Sequence, residues 1–291
     1  MRTERASSES VSTADAMRDL MNRAVVKRGD QLLKMVERLI KGKPLELDED
    51  AARQVDNEIQ AGSQYLIENL PPEFAQSGRW ETEFSVLPYV QERVPGFRAI
   101  SEALQASQVT LRGWYFPHFD RENTTNFARG VQSFTSGRGI LRRHLEGYRA
   151  YQSGVFVWKS EYWEDTEGRV PQGQKALSFI GVIFHITEFM LFAKRYYERL
   201  APEASLQLRI KLTDTQGRYL ISFGEGLLFE NYTCREPEVE VLLKCTATEL
   251  AASWEELSRK ATRHVYELFN WNNATEDMIR QRQQNYLNQR V

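Results

Sequence analysis

The chain has 291 residues, 41% of them hydrophobic and 11% aromatic, enough to bury a sizeable core in one large domain or two modest ones. A formal net charge of −2 argues against a protein whose main business is coating nucleic acid, although it allows a local basic face. Two cysteines, Cys234 and Cys245, are too few for a disulfide framework or a zinc site and suit a reducing cytoplasm.

Residues 1–12 are rich in Ser, Thr, Glu and Arg, carry no apolar run of signal-peptide length, and read as a disordered lead-in. A helical hairpin is expected over 13–72. Its first helix repeats Met17, Leu20, Met21, Ala24, Leu32, Leu33, Val36, Leu39 and Ile40 at three- and four-residue steps and ends at Lys41-Gly42-Lys43-Pro44. The second follows Asp48, buries Ala52, Val55, Ile59, Leu66 and Leu70, and stops at Pro71-Pro72. Two helices cannot cover both apolar stripes alone, so they must dock on the rest of the chain or on a partner, and a protein partner or self-association through them is expected. The first helix also carries Arg18, Arg23, Lys27, Arg28, Lys34 and Arg38, a solvated face or a nucleic-acid surface. The interspersed acids favour the solvated face.

An α+β domain is expected over 73–270. Residues 80–96 read as a Trp- and Pro-punctuated connection before a short helix at 99–105. Val109, Leu111 and Tyr115 alternate with Thr110, Arg112, Trp114 and Phe116, a strand that Pro117 ends. A loop-rich stretch over 118–139, a helix over 140–151, a strand over 154–163 and a polar loop over 164–173 follow.

Next comes 177–193, LSFIGVIFHITEFMLFA, apolar on nearly every side. Its 17 residues fall short of the roughly 20 that a membrane span needs, and His185 and Glu188 sit near its middle. It reads as a buried central helix continuing to about residue 200, not as a span. Leu206, Leu208, Ile210 and Leu212 alternate with Gln207, Arg209, Lys211 and Thr213, and a turn at 214–217 suggests a hairpin with a return strand at 219–223. A strand at 238–245 places Glu238 and Glu240 where they would suit Arg209 and Lys211 on a neighbour. An amphipathic helix spans 250–268, and Thr275 caps a polar helical tail over 271–291. The pattern predicts an α+β fold: a mostly antiparallel sheet packed on a long buried helix, with the N-terminal helical hairpin and C-terminal helices attached.

Polar groups set among aromatics are what a specific pocket uses, and they give a candidate ligand-binding set of Arg112, Trp114, His118, Asp120, Trp158, Glu161, His185 and Glu188. His118, Asp120 and Glu122 alternate, so an extended backbone would point all three the same way, as a metal or base/carboxylate site requires. A wet, polar connection, with Asp120 or Asn123 merely turning the backbone, is the preferred explanation. Residues 135–139, TSGRG, read as a flexible loop before a helix N-terminus that could take an anion. No nucleophile elbow, metalloprotease helix, phosphate loop, dinucleotide fingerprint or paired C-x-x-C is present. No catalytic residue, metal or cofactor is assigned.

At RGWYFPHFDRENT (112–124), GVQSFT (130–135), YQSGVFV (151–157) and ITEFMLFAKR (186–195) the sequence resembles a region downstream of the Schlafen-like, AlbA-type domain assigned to DNA binding in some bacterial proteins. The resemblance spans roughly 107–270 and omits the AlbA-type domain itself, so it implies neither nucleic-acid binding nor nucleotide-dependent activity. It implies an accessory sensing or interaction module. The expected function is a non-catalytic regulatory or sensor module of a bacterial cytoplasmic system, binding a small ligand or a protein partner. Two alternatives are a nucleic-acid-associated protein using the basic face of the first helix, and a metal-dependent hydrolase or nuclease using His118, Asp120 and Glu122.

Overall fold

The computed structural model of the protein describes residues 49–111, 115–119, 123–139, 142–165, 170–223 and 232–288, with the backbone alone at 136–139 and 142–144. The expected first helix, 13–41, lies outside the described residues, and from Asp50 onward the chain forms one compact unit. Its frame is a seven-stranded sheet in the order β11-β9-β1-β7-β6-β5-β4. The strands are β1 (Arg79–Leu87), β4 (Thr124–Phe127), β5 (Gly130–Gly139), β6 (Arg142–Tyr151), β7 (Phe156–Glu161), β9 (Ser205–Thr213) and β11 (Glu238–Thr246), and every neighbouring pair is antiparallel. Two small sheets join β2 (Val109–Thr110) to β3 (Tyr115–Phe116) and β8 (Ala176–Ser178) to β10 (Tyr219–Ile221).

The expected central helix is α4, Phe179–Leu200. Ser178 caps it, accepting the Gly181 N–H at 3.0 Å. From Phe179 to Ala193 α4 is buried except at the half-buried Phe184 and His185, because two layers enclose it. On one side the alternate residues Trp80, Phe84 and Val86 of β1, Phe156 and Trp158 of β7, and Leu206, Leu208, Ile210 and Leu212 of β9 present one apolar face. On the other lie α5 (Ala247–Leu268) and α6 (Glu276–Asn288), tied to α4 where Tyr266 donates to the Phe179 carbonyl at 2.6 Å and Tyr286 to Glu188 at 2.6 Å. Among the described residues no helix is long and apolar enough to cross a membrane. The α+β class with a long buried helix on an antiparallel sheet is as the periodicities predict.

The second helix of the expected hairpin, α1 (Glu49–Asn69), lies on the opposite face of the sheet and is followed by α2 (Pro72–Gln76), whereas α3 (Phe97–Ser107), beyond β1, adds Ile100, Ala103 and Leu104 to the core around α4. Val55, Ile59 and Leu66 of α1 pack on Tyr151, Val155 and Val157, and Leu70 and Phe74 on Leu145. Burying such a side chain contributes about 1.5–3 kcal/mol, which is what holds α1 there. Glu58, buried on the same stripe, accepts hydrogen bonds from Tyr89 and Ser153 and faces Arg129 at 3.6 Å. Burial raises its carboxyl above the usual range against those three partners. The remainder of this face is a lattice of charge. Lys159 meets Glu81 at 2.7 Å, Arg209 meets Glu83 at 2.9 Å, and Lys211 meets Glu238 at 2.6 Å. The complementarity expected between 209–211 and 238–240 is therefore present, with Lys211 directly opposite Glu240 in register.

Five sequence expectations are corrected, the first being the single strand read over 109–116, whose ends are instead two short strands, β2 and β3, paired antiparallel. The stretch 140–151, read as a helix, is strand β6 from Arg142. Both of its faces are covered, so Leu145, Tyr148 and Tyr151 are all apolar or aromatic and mimic a three-residue period. Gly147 was the discordant signal: a Cβ there would come within 3.0 Å of Leu66 and 3.1 Å of Phe134. Residues 118–139, read as loop, contain β4 and β5, so 135–139 precedes no helix N-terminus. The connection at 80–96 begins with β1, whose Trp80, Phe84 and Val86 alternate with Glu81, Glu83 and Ser85 in mid-sheet. The segment after β9 does not return beside it. β10 instead runs parallel to β8, while β9 lies between β1 and β11.

α5 begins in a capping box, Thr246 Oγ1 accepting from Glu249 N at 3.1 Å and Glu249 accepting from Thr246 N at 2.7 Å. Thr246→Ala should lower the stability of the unit by about 1 kcal/mol, read as a shift in urea midpoint at constant m-value.

Candidate functional site

The residues singled out from the sequence divide among several places. Arg112, Trp114 and Asp120, together with Glu122, lie outside the described residues. Trp158 is core, 2% exposed, with ring centroids 5.0 Å from Phe116 and 5.2 Å from Phe189. His185 is half-buried one helical turn before Phe189, and its ring lies tilted against Trp80 with centroids 5.0 Å apart. His118 follows Phe116 and donates its backbone N–H to Glu146 at 3.1 Å. Phe116, Trp158, His185 and Phe189 thus gather at one end of the α4 face.

Glu161, three residues past Trp158 on the same strand, points to the α1 face and accepts the Leu145 N–H at 3.1 Å. Glu188, fully buried, accepts a hydrogen bond from Tyr286 of α6 at 2.6 Å. No group of three or more His, Cys, Asp and Glu able to hold a metal occurs among the described residues.

A more elaborate constellation surrounds Arg218, which drew no attention in the sequence. Asp214 and Gly217 take positive φ, 55° and 76°, in the turn after β9, and this redirects the chain inward. Arg218 then enters the unit with no exposed surface. Its guanidinium holds Asp165 through two bonds of 2.6 and 2.8 Å, reaches the Ala176 carbonyl at 2.7 Å, and bonds the Asp214 carbonyl at 3.2 Å and carboxylate at 3.3 Å. It lies 4.4 Å over the Tyr162 ring, whose hydroxyl donates to the Thr213 carbonyl at 2.9 Å. Gly78 makes room, since a Cβ there would stand 2.7 Å from both the guanidinium and the Tyr162 ring. Burial alone would lower the Arg218 pKa, but Asp165, Tyr162 and Asp214 more than offset it and leave the pKa raised.

Glu164 completes the cluster. It is 1% exposed, on a short 3₁₀ turn (Trp163–Asp165), and one carboxyl oxygen accepts the Ser178 N–H at 2.7 Å at the start of α4. The other oxygen has no hydrogen-bond partner. Burial lifts its pKa to about 7, opposed by the backbone N–H groups of Ser178 and Glu164 itself and by the charge of Arg218.

Beside this cluster opens a polar groove of about 560 Å³, lined by Gln174, Lys175, Gln216, Gly217, Tyr219 and Thr233. Asp214 links the two, because the residue that closes the ring around Arg218 also holds the Lys175 ammonium at 2.6 Å. Tyr219 donates to Gln174 at 2.8 Å across the groove wall. Amide, ammonium, phenol and hydroxyl groups converge there on a frame fixed from beneath, an arrangement suited to hydrogen bonding a small polar molecule. The one sequence trace of this site is the i,i+4 pair Asp214 and Arg218 around a glycine turn. Its partners Asp165 and Ala176 are far off in sequence.

No family model, curated protein or solved structure matches the chain.

Proposed function

We propose that this chain is a non-catalytic regulatory or sensor module of a bacterial cytoplasmic system, and that it takes a small polar, anionic ligand in the groove beside Lys175. The observation that carries the reading is the link from the buried Arg218 through Asp214 to Lys175, which positions the ammonium before any ligand arrives. Preorganisation of this kind lowers the entropy cost of binding. The resemblance of residues 107–270 to an accessory interaction region agrees with it.

The test is a thermal-shift screen with nucleotides, sugar phosphates and small dicarboxylates, followed by calorimetry. At a hundredfold excess over Kd a ligand should stabilise by about 2.7 kcal/mol, raising Tm by roughly 5–10 °C for a unit of this size. Lys175→Ala should weaken binding about tenfold or more while leaving the ligand-free Tm nearly unchanged, because its pair with Asp214 is half-exposed. A panel that moves neither protein's Tm, or binding indifferent to Lys175→Ala, would refute the assignment.

A further inference from the structure

We infer that the outer edge of β11 is a self-association surface that pairs with β11 of a second copy of this chain, in antiparallel register about a two-fold axis through Leu242. The seven-stranded sheet ends on β11. That strand is nine residues long and pairs with β9 without a bulge, Glu238 opposite Thr213 through Thr246 opposite Ser205. It therefore turns a long, regular row of backbone groups outward. The strand at the opposite end of the sheet, β4, has four residues. Natural sheets shorten, bulge or cover such an edge, because it templates pairing with another chain. Among the described residues β11 is neither short, bulged nor covered, and its charges, Glu238, Glu240 and Lys244, all lie on one face of the strand.

The side chains supply both the occupant and the register. On the α1 face β11 presents Glu238, Glu240, Leu242 and Lys244, all exposed, and Leu242, at 42% exposure, is one of the few large apolar side chains left in solvent among the described residues. Acid lies on one side of Leu242 and base on the other. An antiparallel second copy centred there sets Glu240 of each molecule opposite Lys244 of the other, and Leu242 opposite Leu242. On the α4 face the same register sets Val241 opposite Leu243, and Leu243, half-buried in the single copy, gains cover. Directly opposed unlike charges and apolar pairs each favour pairing, whereas like charges oppose it. A row in this order complements itself under two-fold symmetry, which is the requirement of a closed dimer. Glu240 stands 3.6 Å from Arg209 and is itself 48% exposed, so it is free to turn outward.

Sedimentation velocity and light scattering on the full chain, from about 1 to 100 µM, test this directly. A dimer is expected. Lys244→Glu and Glu240→Lys each place like charges across the axis twice and should weaken the dimer about tenfold or more. The double variant Glu240→Lys/Lys244→Glu restores the opposition and should recover it. Circular dichroism melts confirm that each variant folds. A wild-type chain that stays monomeric throughout the range, a dimer indifferent to Lys244→Glu, or single variants that the double variant fails to rescue would overturn the inference. Selective capture of an extended peptide by β11, without self-association, would assign the edge to a different partner and overturn it equally.

Discussion

Replacing Arg218 by methionine is expected to destabilise the compact unit by about 3 kcal/mol, the low end of the roughly 3–5 kcal/mol that breaking a buried ion pair costs. The low end applies because the side chains of Asp165 and Asp214 keep 29% and 38% exposure, so their orphaned carboxylates are partly solvated. The carbonyls of Ala176 and Asp214 also lose a donor at a site that water reaches poorly. For a domain of this size Tm should fall by roughly 6–12 °C. Arg218→Lys keeps the charge but not the planar fork that serves Asp165 with two bonds, and should recover only part of the loss. Urea titration at constant m-value gives the measurement, and a loss under about 1 kcal/mol for the methionine variant would show that the cluster is not structural.

Glu164→Gln is expected to act in the opposite direction and only at high pH. The folded carboxyl ionises near pH 7 against an ordinary value of 4.5, because burial disfavours its charged form. The neutral acid is therefore the form that suits the fold. Its contribution is fully present below pH 4.5 and is lost as pH rises through 7. At 1.36 kcal/mol per pH unit the gap amounts to roughly 3 kcal/mol above pH 8. Glutamine keeps an oxygen for the Ser178 N–H and never ionises, so the variant should exceed the wild type by about that amount at pH 8.5 and match it near pH 4.5. Stability curves that stay parallel from pH 4.5 to 8.5 would contradict the assignment. Arg218, Asp165 and Tyr162 interact electrostatically with Glu164, and Arg218 lowers its pKa. Removing Arg218 should push ionisation of Glu164 higher still, and the two substitutions should not be additive.

Legibility from sequence tracked how many faces of an element are covered. β9 alternates Leu206, Leu208, Ile210 and Leu212 with polar residues because one of its faces is charged, and its period of two was plain. β6 lies between α1 and the α4 layer, carries apolar residues on both faces, and so lost the alternation that marks a strand. β1 kept its alternation but stands among Pro88, Pro95 and Trp80, which drew attention to the connection and away from the strand. The candidate ligand residues were chosen for composition. Composition does not say that Trp158 and Glu161, three apart on one strand, must face opposite sides of the sheet.

The sequence by itself determined the α+β class, the burial of the central helix, the cap at Thr275, and the charge match between 209–211 and 238–240. The first three follow from a period or a cap within a few residues, and the charge match from two short alternating patterns of complementary sign. The tertiary structure decided which strands are neighbours, that α1 docks on the sheet, and that Arg218, Asp165, Asp214 and Glu164 form one cluster beside the Lys175 groove. Arg218 lies 53 residues from Asp165 in sequence, and only the reversal at Asp214–Gly217 and the β8–β10 pairing bring the guanidinium to its carboxylate. Contacts across such a separation leave no periodicity behind, so they become visible only once the chain is folded.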